Sequence, residues 1–336
     1  MPGCKTAFGV PLCREQCGPE KGALGGAGLR PNDLVLALLV VVLWGVNFVV
    51  IKVGLRGVSP FVLGGLRFLF ASLPAIFFLR RPRVPLRLYL GFALTAFFGQ
   101  FALLFWAIKL GMPAALSSVI HQSQAFFTLA LAAIVLGERP TRAQIAGTVV
   151  AALGLAWIGA ASGASFPLAA FALNLCAAAS WAVSNLVSRS LSHHGKVSGL
   201  AFVAWSGLLP IVPFFALAWA FEGREAVTAS FRAMDTTSWA AVAYLAFGAT
   251  LGGYGLWNRL LKTYPAAQVA PFTLLVPVVG LLSGTLLLGE PVSATQLAGS
   301  ALVAAGLALP VAAGWLGRSR APTFKSMAGN PRAGPR

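Results

Sequence analysis

The sequence predicts an all-α polytopic membrane protein with ten transmembrane helices, arranged as two inverted five-helix repeats. Three observations predict it. The 336 residues are 58% hydrophobic and only 10% charged, with mean hydropathy +0.81, whereas a soluble domain carries about a quarter charged residues. Ten apolar stretches reach the length of about 20 residues that crosses roughly 30 Å of hydrocarbon. The second half of the chain then repeats motifs of the first at fixed offsets. A net charge of +17 would suggest nucleic acid in a soluble protein. Here Lys and Arg fall in short gaps between apolar runs, which makes the lipid bilayer the partner and excludes nucleic acid.

In chain order, residues 1–32 form a Gly-rich tail, read as flexible and cytoplasmic. It lacks the apolar core of a signal peptide, and Cys13 and Cys17 lack the second ligand pair of a zinc site. The spans are expected at residues 34–55, 60–79, 88–108, 113–136, 143–161, 167–187, 198–221, 239–257, 266–288 and 296–315. Pro60, Pro113 and Pro167 open three of them, as suits the first turn of a helix. The longest gap, residues 222–238, leaves room for a short interfacial helix. Residues 317–336 form a basic tail. With both termini cytoplasmic, nineteen Lys and Arg lie inside and five outside (Lys52, Arg56, Lys109, Arg224, Arg232), leaving Arg67 within a span. Positive charge accumulates on the cytoplasmic side, so this orientation, in a cell inner membrane, is the expected one.

The repeat is legible residue by residue. Leu136-Gly137-Glu138, Gln144-Ile145-Ala146-Gly147 and Gly154-Leu155-Ala156 recur 152 residues later as Leu288-Gly289-Glu290, Gln296-Leu297-Ala298-Gly299 and Gly306-Leu307-Ala308. The same offset pairs Pro113-Ala114-Ala115 with Pro265-Ala266-Ala267. Earlier in each half the offset is 137, pairing Trp44 with Trp181 and Lys52 with Arg189. An odd number of helices per repeat turns the second copy upside down. Inverted repeats are a signature of secondary transporters, in which two pseudo-symmetric halves alternate around one site.

The chain resembles the EamA family of the drug/metabolite transporter superfamily. The resemblance rests on Trp44-Gly45-Val46-Asn47-Phe48 with Lys52, on Leu66-Arg67-Phe68, and on the two Gly-Glu…Gln…Gly blocks. Within the family it is most similar to the branch that exports O-acetylserine and cysteine, through Gly111-Met112-Pro113-Ala114, Gln124-Ala125-Phe126-Phe127-Thr128 and the run from Val269 to Leu281. Ile120-His121 departs from that branch's more apolar pattern. The resemblance implies a first EamA repeat at 33–161, a second at 166–316, and a small amino-acid-like substrate.

Polar groups inside spans are costly and are functional candidates. Ser117, His121, Gln124 and Thr128 are spaced to share one helical face. They either line a cavity or hydrogen-bond to a neighbouring helix. Arg67, about 10 Å below the outer boundary, suits a substrate carboxylate; alternatively it bonds carbonyls or snorkels. Asn47 and Tyr254 join the candidate substrate-binding set, with Gln100, Asn174, Asn185 and Asn258 as weaker members. Lys52 snorkels or rims an outer gate. Glu138 and Glu290 either favour the N-termini of the helices that follow or latch gates on opposite faces.

No catalytic residue, metal site or cofactor is expected. None of the three histidines shares a span with a carboxylate, and His193-His194 reads as solvated loop. A nucleotide cargo would want several midplane cations, and only Arg67 is available. A membrane enzyme would need catalytic groups, and a sensor a signalling domain that the Gly- and Pro-rich tails do not encode. The expected function is export of a small amino-acid metabolite of the cysteine/O-acetylserine type by alternating access. Another small metabolite or a drug is the alternative cargo.

Overall fold

The computed structural model describes residues 6–7, 10–11, 29–160, 165–191 and 197–319. Cys4, Cys13, Cys17, His193, His194, most of the N-terminal tail and residues 320–336 lie outside them. Apart from a two-by-two-residue antiparallel ladder, Thr6–Ala7 with Val10–Pro11, the described residues are helical. The principal helices are α1 Pro31–Gly54, α2 Pro60–Ile76, α3 Leu86–Lys109, α4 Ala114–Leu136, α5 Arg142–Ala160, α6 Leu168–Leu191, α7 Gly199–Ala233, α8 Thr236–Thr263, α9 Ala270–Leu288 and α10 Ala294–Ser319. Nine of these are long and apolar enough to cross a membrane, and α2, at 17 residues, is a shorter apolar helix. The first helix starts at Pro31, inside what the sequence reading assigned to the tail.

Local chemistry fixes the ends. Ser59 caps α2 by accepting from the amides of Phe61 and Val62, with Pro60 at the first helical position. Thr141 with Gln144, and Ser293 with Gln296, form reciprocal capping boxes at the starts of α5 and α10. The gap of residues 222–238 holds a short helix, Gly223–Ala233, the last part of α7, turned off by Gly223 at φ +82°. It docks over the start of α2: the Ser59 amide donates to Ser230 Oγ at 3.1 Å, and Ser59 Oγ donates to Glu222.

Phe68, Phe97, Phe105, Phe202 and Phe214 pack the core between α2, α3 and α7. Outward-facing Ile134, Leu153, Trp157, Val212 and Leu286 present an apolar surface suited to acyl chains rather than water. Helices α5 and α10 run antiparallel at backbone contact. A Cβ on Gly147 would fall 2.4 Å from the Gly306 carbonyl oxygen, and one on Gly154 would fall 2.6 Å from that of Gly299. The 152-residue offset turns the first pair into the second.

Helices α4 and α9 meet unevenly. Near the end of the molecule that bears Lys52, they touch: a Cβ on Gly284 would lie 2.7 Å from Ala115 Cβ, and Ser118 Oγ donates to the Pro277 carbonyl at 3.3 Å. Residues 114–123 are buried throughout. Toward the Glu138 end, neither residues 124–131 nor residues 270–275 contain a buried side chain.

Candidate functional site

Arg67 is the hub of the buried polar groups. It is 2% exposed, and its Nε donates to Thr250 Oγ1 at 3.0 Å while Nη1 donates to Asn47 Oδ1 at 3.5 Å. The guanidinium lies 3.9 Å over the Phe101 ring. Four helices, α1, α2, α3 and α8, therefore converge on one cation. Thr250 sits in a wide i→i+5 turn, Tyr244–Gly252, and its hydroxyl donates onward to the Leu245 carbonyl. A second wide turn, Ala93–Gly99, immediately precedes Gln100 and Phe101. Such turns recur at functional sites because they re-aim side chains. Tyr254 adjoins the group, edge-on to Trp44 and Phe97. Arg67 donates to a hydroxyl and a side-chain amide oxygen rather than to main-chain carbonyls, and its side chain stays buried. Two of its five N–H groups have protein acceptors, both neutral, and among the described residues no carboxylate pairs with it.

The α4 stripe does lie on one face, and that face meets α6. Asn174 bridges two of its members, donating to Ser117 Oγ at 3.1 Å and placing its Oδ1 3.3 Å from His121 Nδ1. His121 Nε2 lies 3.1 Å from Gln100 Nε2, so the imidazole that satisfies both contacts carries its proton on Nδ1 and accepts from Gln100. Trp181 stacks on the ring, and Phe48 meets it edge-on. Lower on α4, Asn185 Nδ2 donates to Gln124 Oε1 at 2.8 Å and to Thr128 Oγ1 at 3.0 Å. In this conformation the stripe is engaged in interhelical bonds. Gln122 points away, donating to the Thr273 carbonyl on α9. Gln100 Oε1 and Ser123 Oγ are buried without a hydrogen-bond partner among the described residues.

Lys52 with Glu290, and Arg189 with Glu138, form two ion pairs at opposite ends. Lys52 Nζ lies 2.5 Å from Glu290 Oε1, and the two Glu290 oxygens accept from the amides of Ala114 and Ala115 at 2.9 and 2.8 Å. Glu290 thus serves the N-terminus of α4, with the capping box at Ser293 serving α10. At the other end Arg189 Nη1 donates to Glu138 Oε1 at 2.9 Å, with both side chains about half exposed. Sequence reasoning overlooked Thr250, Phe101 and the Ala114–Ala115 amides, because no local pattern marks a residue whose role is to face another helix. The capping boxes were legible as Thr-x-x-Gln and Ser-x-x-Gln.

Comparison with known proteins places this arrangement. The model of the EamA-like transporter family matches twice, over residues 33–160 and 168–311. The chain belongs to the EamA-like transporter family. It is 50% identical over 283 residues to a probable amino-acid metabolite efflux pump of Salmonella typhimurium, covering 83% of this chain and 95% of that protein. A probable amino-acid metabolite efflux pump of Escherichia coli is 46% identical with the same coverage. A probable terminal-alkyne amino-acid exporter of Streptantibioticus cattleyicolor is 30% identical, over 84% of this chain and 94% of that one. A crystal structure with 19% identity and TM-score 0.61 covers 88% of this chain and all of its own, a likeness of fold alone.

Proposed function

We propose that this EamA-like transporter exports small amino-acid metabolites of the cysteine/O-acetylserine type across the inner membrane, by alternating access between two inverted five-helix repeats. Residues 33–161 and 166–316 are the two halves, with residues 1–32 and 317–336 as cytoplasmic tails. The twofold exchange of the Gly147–Gly306 and Gly154–Gly299 contacts supports inverted halves, and so do the two family matches. The Lys/Arg distribution supports both termini inside. On that orientation Lys52 and Glu290 lie on the outer face, Glu138 lies on the inner face, and this conformation is open inward.

The observation that carries the cargo class is Arg67. A buried guanidinium that, among the described residues, has acceptors for only two of its N–H groups and no carboxylate beside it is completed by the carboxylate of the cargo. Asn47, Thr250 and Phe101 hold it flat, and Tyr254 walls one side. The polar face of α4, Ser117, His121, Gln124 and Thr128, offers hydrogen bonds to the rest of a small zwitterion once α6 releases it.

Uptake into inside-out vesicles tests this reading. O-acetylserine and cysteine are expected to accumulate, and cysteamine, which lacks the carboxylate, is not. Arg67→Gln is expected to raise the half-saturating concentration of cysteine about tenfold to a hundredfold, as loss of hydrogen bonds to a charged group does. Equal transport of cysteamine and cysteine by the native protein would refute the role of Arg67.

A further inference from the structure

The two ion pairs are related by the sequence repeat, and only one of them is complete. Lys52 corresponds to Arg189 at the 137-residue offset, and Glu138 corresponds to Glu290 at 152. Each pair joins the first helix of one half to the end of the fourth helix of the other: α1 with α9, and α6 with α4. At the Lys52 end, Glu290 is 8% exposed and grips two amides at the head of α4, where α4 and α9 touch. At the other end Glu138 is exposed, and the nearby stretches 124–131 of α4 and 270–275 of α9 hold no buried side chain. The partners that the repeat assigns to Glu138 are the amides of Ala266 and Ala267, which correspond to Ala114 and Ala115.

We infer that Glu138 and Arg189 are the second of two alternating latches: when the cargo passage closes at this end, the Glu138 carboxylate takes the Ala266 and Ala267 amides while Glu290 releases those of Ala114 and Ala115. Both latches have the same construction. A carboxylate at the end of one fourth helix binds amides that open the other, Ala114 and Ala115 at the head of α4 and Ala266 and Ala267 at the head of the turn Ala266–Val269 that leads into α9, where helix-terminal N–H groups lack intrahelical acceptors. A cation from a first helix holds that carboxylate in place. The Ala115–Gly284 contact leaves no space between α4 and α9 at the Lys52 end. That contact, with the grip of Glu290 on the Ala114 and Ala115 amides, must part for this end to open as the Glu138 end closes. Glu138 and Arg189 are positioning residues in this scheme; they touch no cargo. The inference rests on the alternating-access reading and adds to it the atoms that hold the second state.

Distances between spin labels test it, in lipid nanodiscs and a background with Cys4, Cys13, Cys17 and Cys176 replaced by serine. One label pair, Ile134→Cys with Ala270→Cys, reports the Glu138 end, and another, Leu110→Cys with Pro291→Cys, reports the Lys52 end. All four label positions are exposed or lipid-facing. In the native background O-acetylserine is expected to populate a short distance at the Glu138 end together with a long one at the Lys52 end. Glu138→Gln is expected to cut that short population about tenfold, the scale of a charge-assisted hydrogen bond. Glu290→Gln is expected to raise it in the absence of cargo. Because Glu138 is half exposed, its substitution leaves the core untouched, and the opposite responses of the two variants separate a latch from general loosening. If the short population forms normally in Glu138→Gln, the latch is refuted while alternating access stands. If neither label pair responds to cargo in the native protein, alternating access itself fails and the latch fails with it.

Discussion

Asn174 shows how a single side chain can hold a membrane protein together at depth. With one amide it satisfies the Ser117 hydroxyl and the His121 imidazole, both buried, where water cannot substitute. Asn185 also makes two bonds, but to Gln124 and Thr128, which are only half-buried. Side-chain hydrogen bonds between membrane helices contribute about 0.6 kcal/mol on average and at most about 1.7. Asn174→Ala is therefore expected to lower stability toward the top of that range and Asn185→Ala near the mean, as read by unfolding in mixed micelles. Equal losses would mean that water reaches Asn174. The polar members of both networks were legible in the sequence as costly residues in apolar runs. Their pairing was not, because Asn174 and Ser117 are 57 residues apart and only the packing of α6 on α4 joins them.

At the scale of the helix, small residues decide how closely elements approach. The antiparallel contact of α5 and α10 depends on Gly147, Gly154, Gly299 and Gly306, whose backbones touch. Gly154→Leu would drive a side chain into the Gly299 carbonyl and the Leu302 and Val303 backbone region, 2.6 to 2.9 Å from its first carbon. That substitution is expected to reduce folded protein in the membrane severely, measured as the monodisperse fraction after extraction. Gly314→Leu on the same helix pair, with nothing within 4 Å of a built Cβ, is expected to leave it unchanged. The helix positions themselves followed from hydropathy with few changes. What hydropathy could not anticipate was the irregularity within them: the tightened turn at His121–Ser123 and the wide turns in α3 and α8. Such turns answer to neighbours across the bundle rather than to local propensity.

For the whole molecule, polar contacts gather at two opposite ends. Lys52 meets Glu290 and Lys109 meets the Leu55 and Val58 carbonyls at one end. Tyr264 meets Asp33, Trp205 meets the Leu79 carbonyl, and Glu138 meets Arg189 at the other. Which end faces the cytoplasm is a matter of charge. A reporter fused after Arg318 is expected to be active only as a cytoplasmic reporter, and activity of a periplasm-dependent reporter there would reverse the orientation and the direction of transport.

Hydropathy, charge placement and the internal repeat by themselves determined the membrane class, the position of the apolar helices, the expected orientation and the candidate polar residues. Those properties are written locally or recur along the chain: a bilayer reads length and apolarity one segment at a time, and a duplicated half keeps its motifs at fixed offsets. Only the tertiary structure decided that Arg67 is clasped by Asn47, Thr250 and Phe101, that the α4 stripe is engaged by α6, and that Glu290 serves α4 rather than α10. Each of those contacts joins helices remote in sequence. Their geometry is set by how closely the glycine-lined backbones approach and by where the irregular turns aim their side chains, and neither is encoded in the segment that carries the residue.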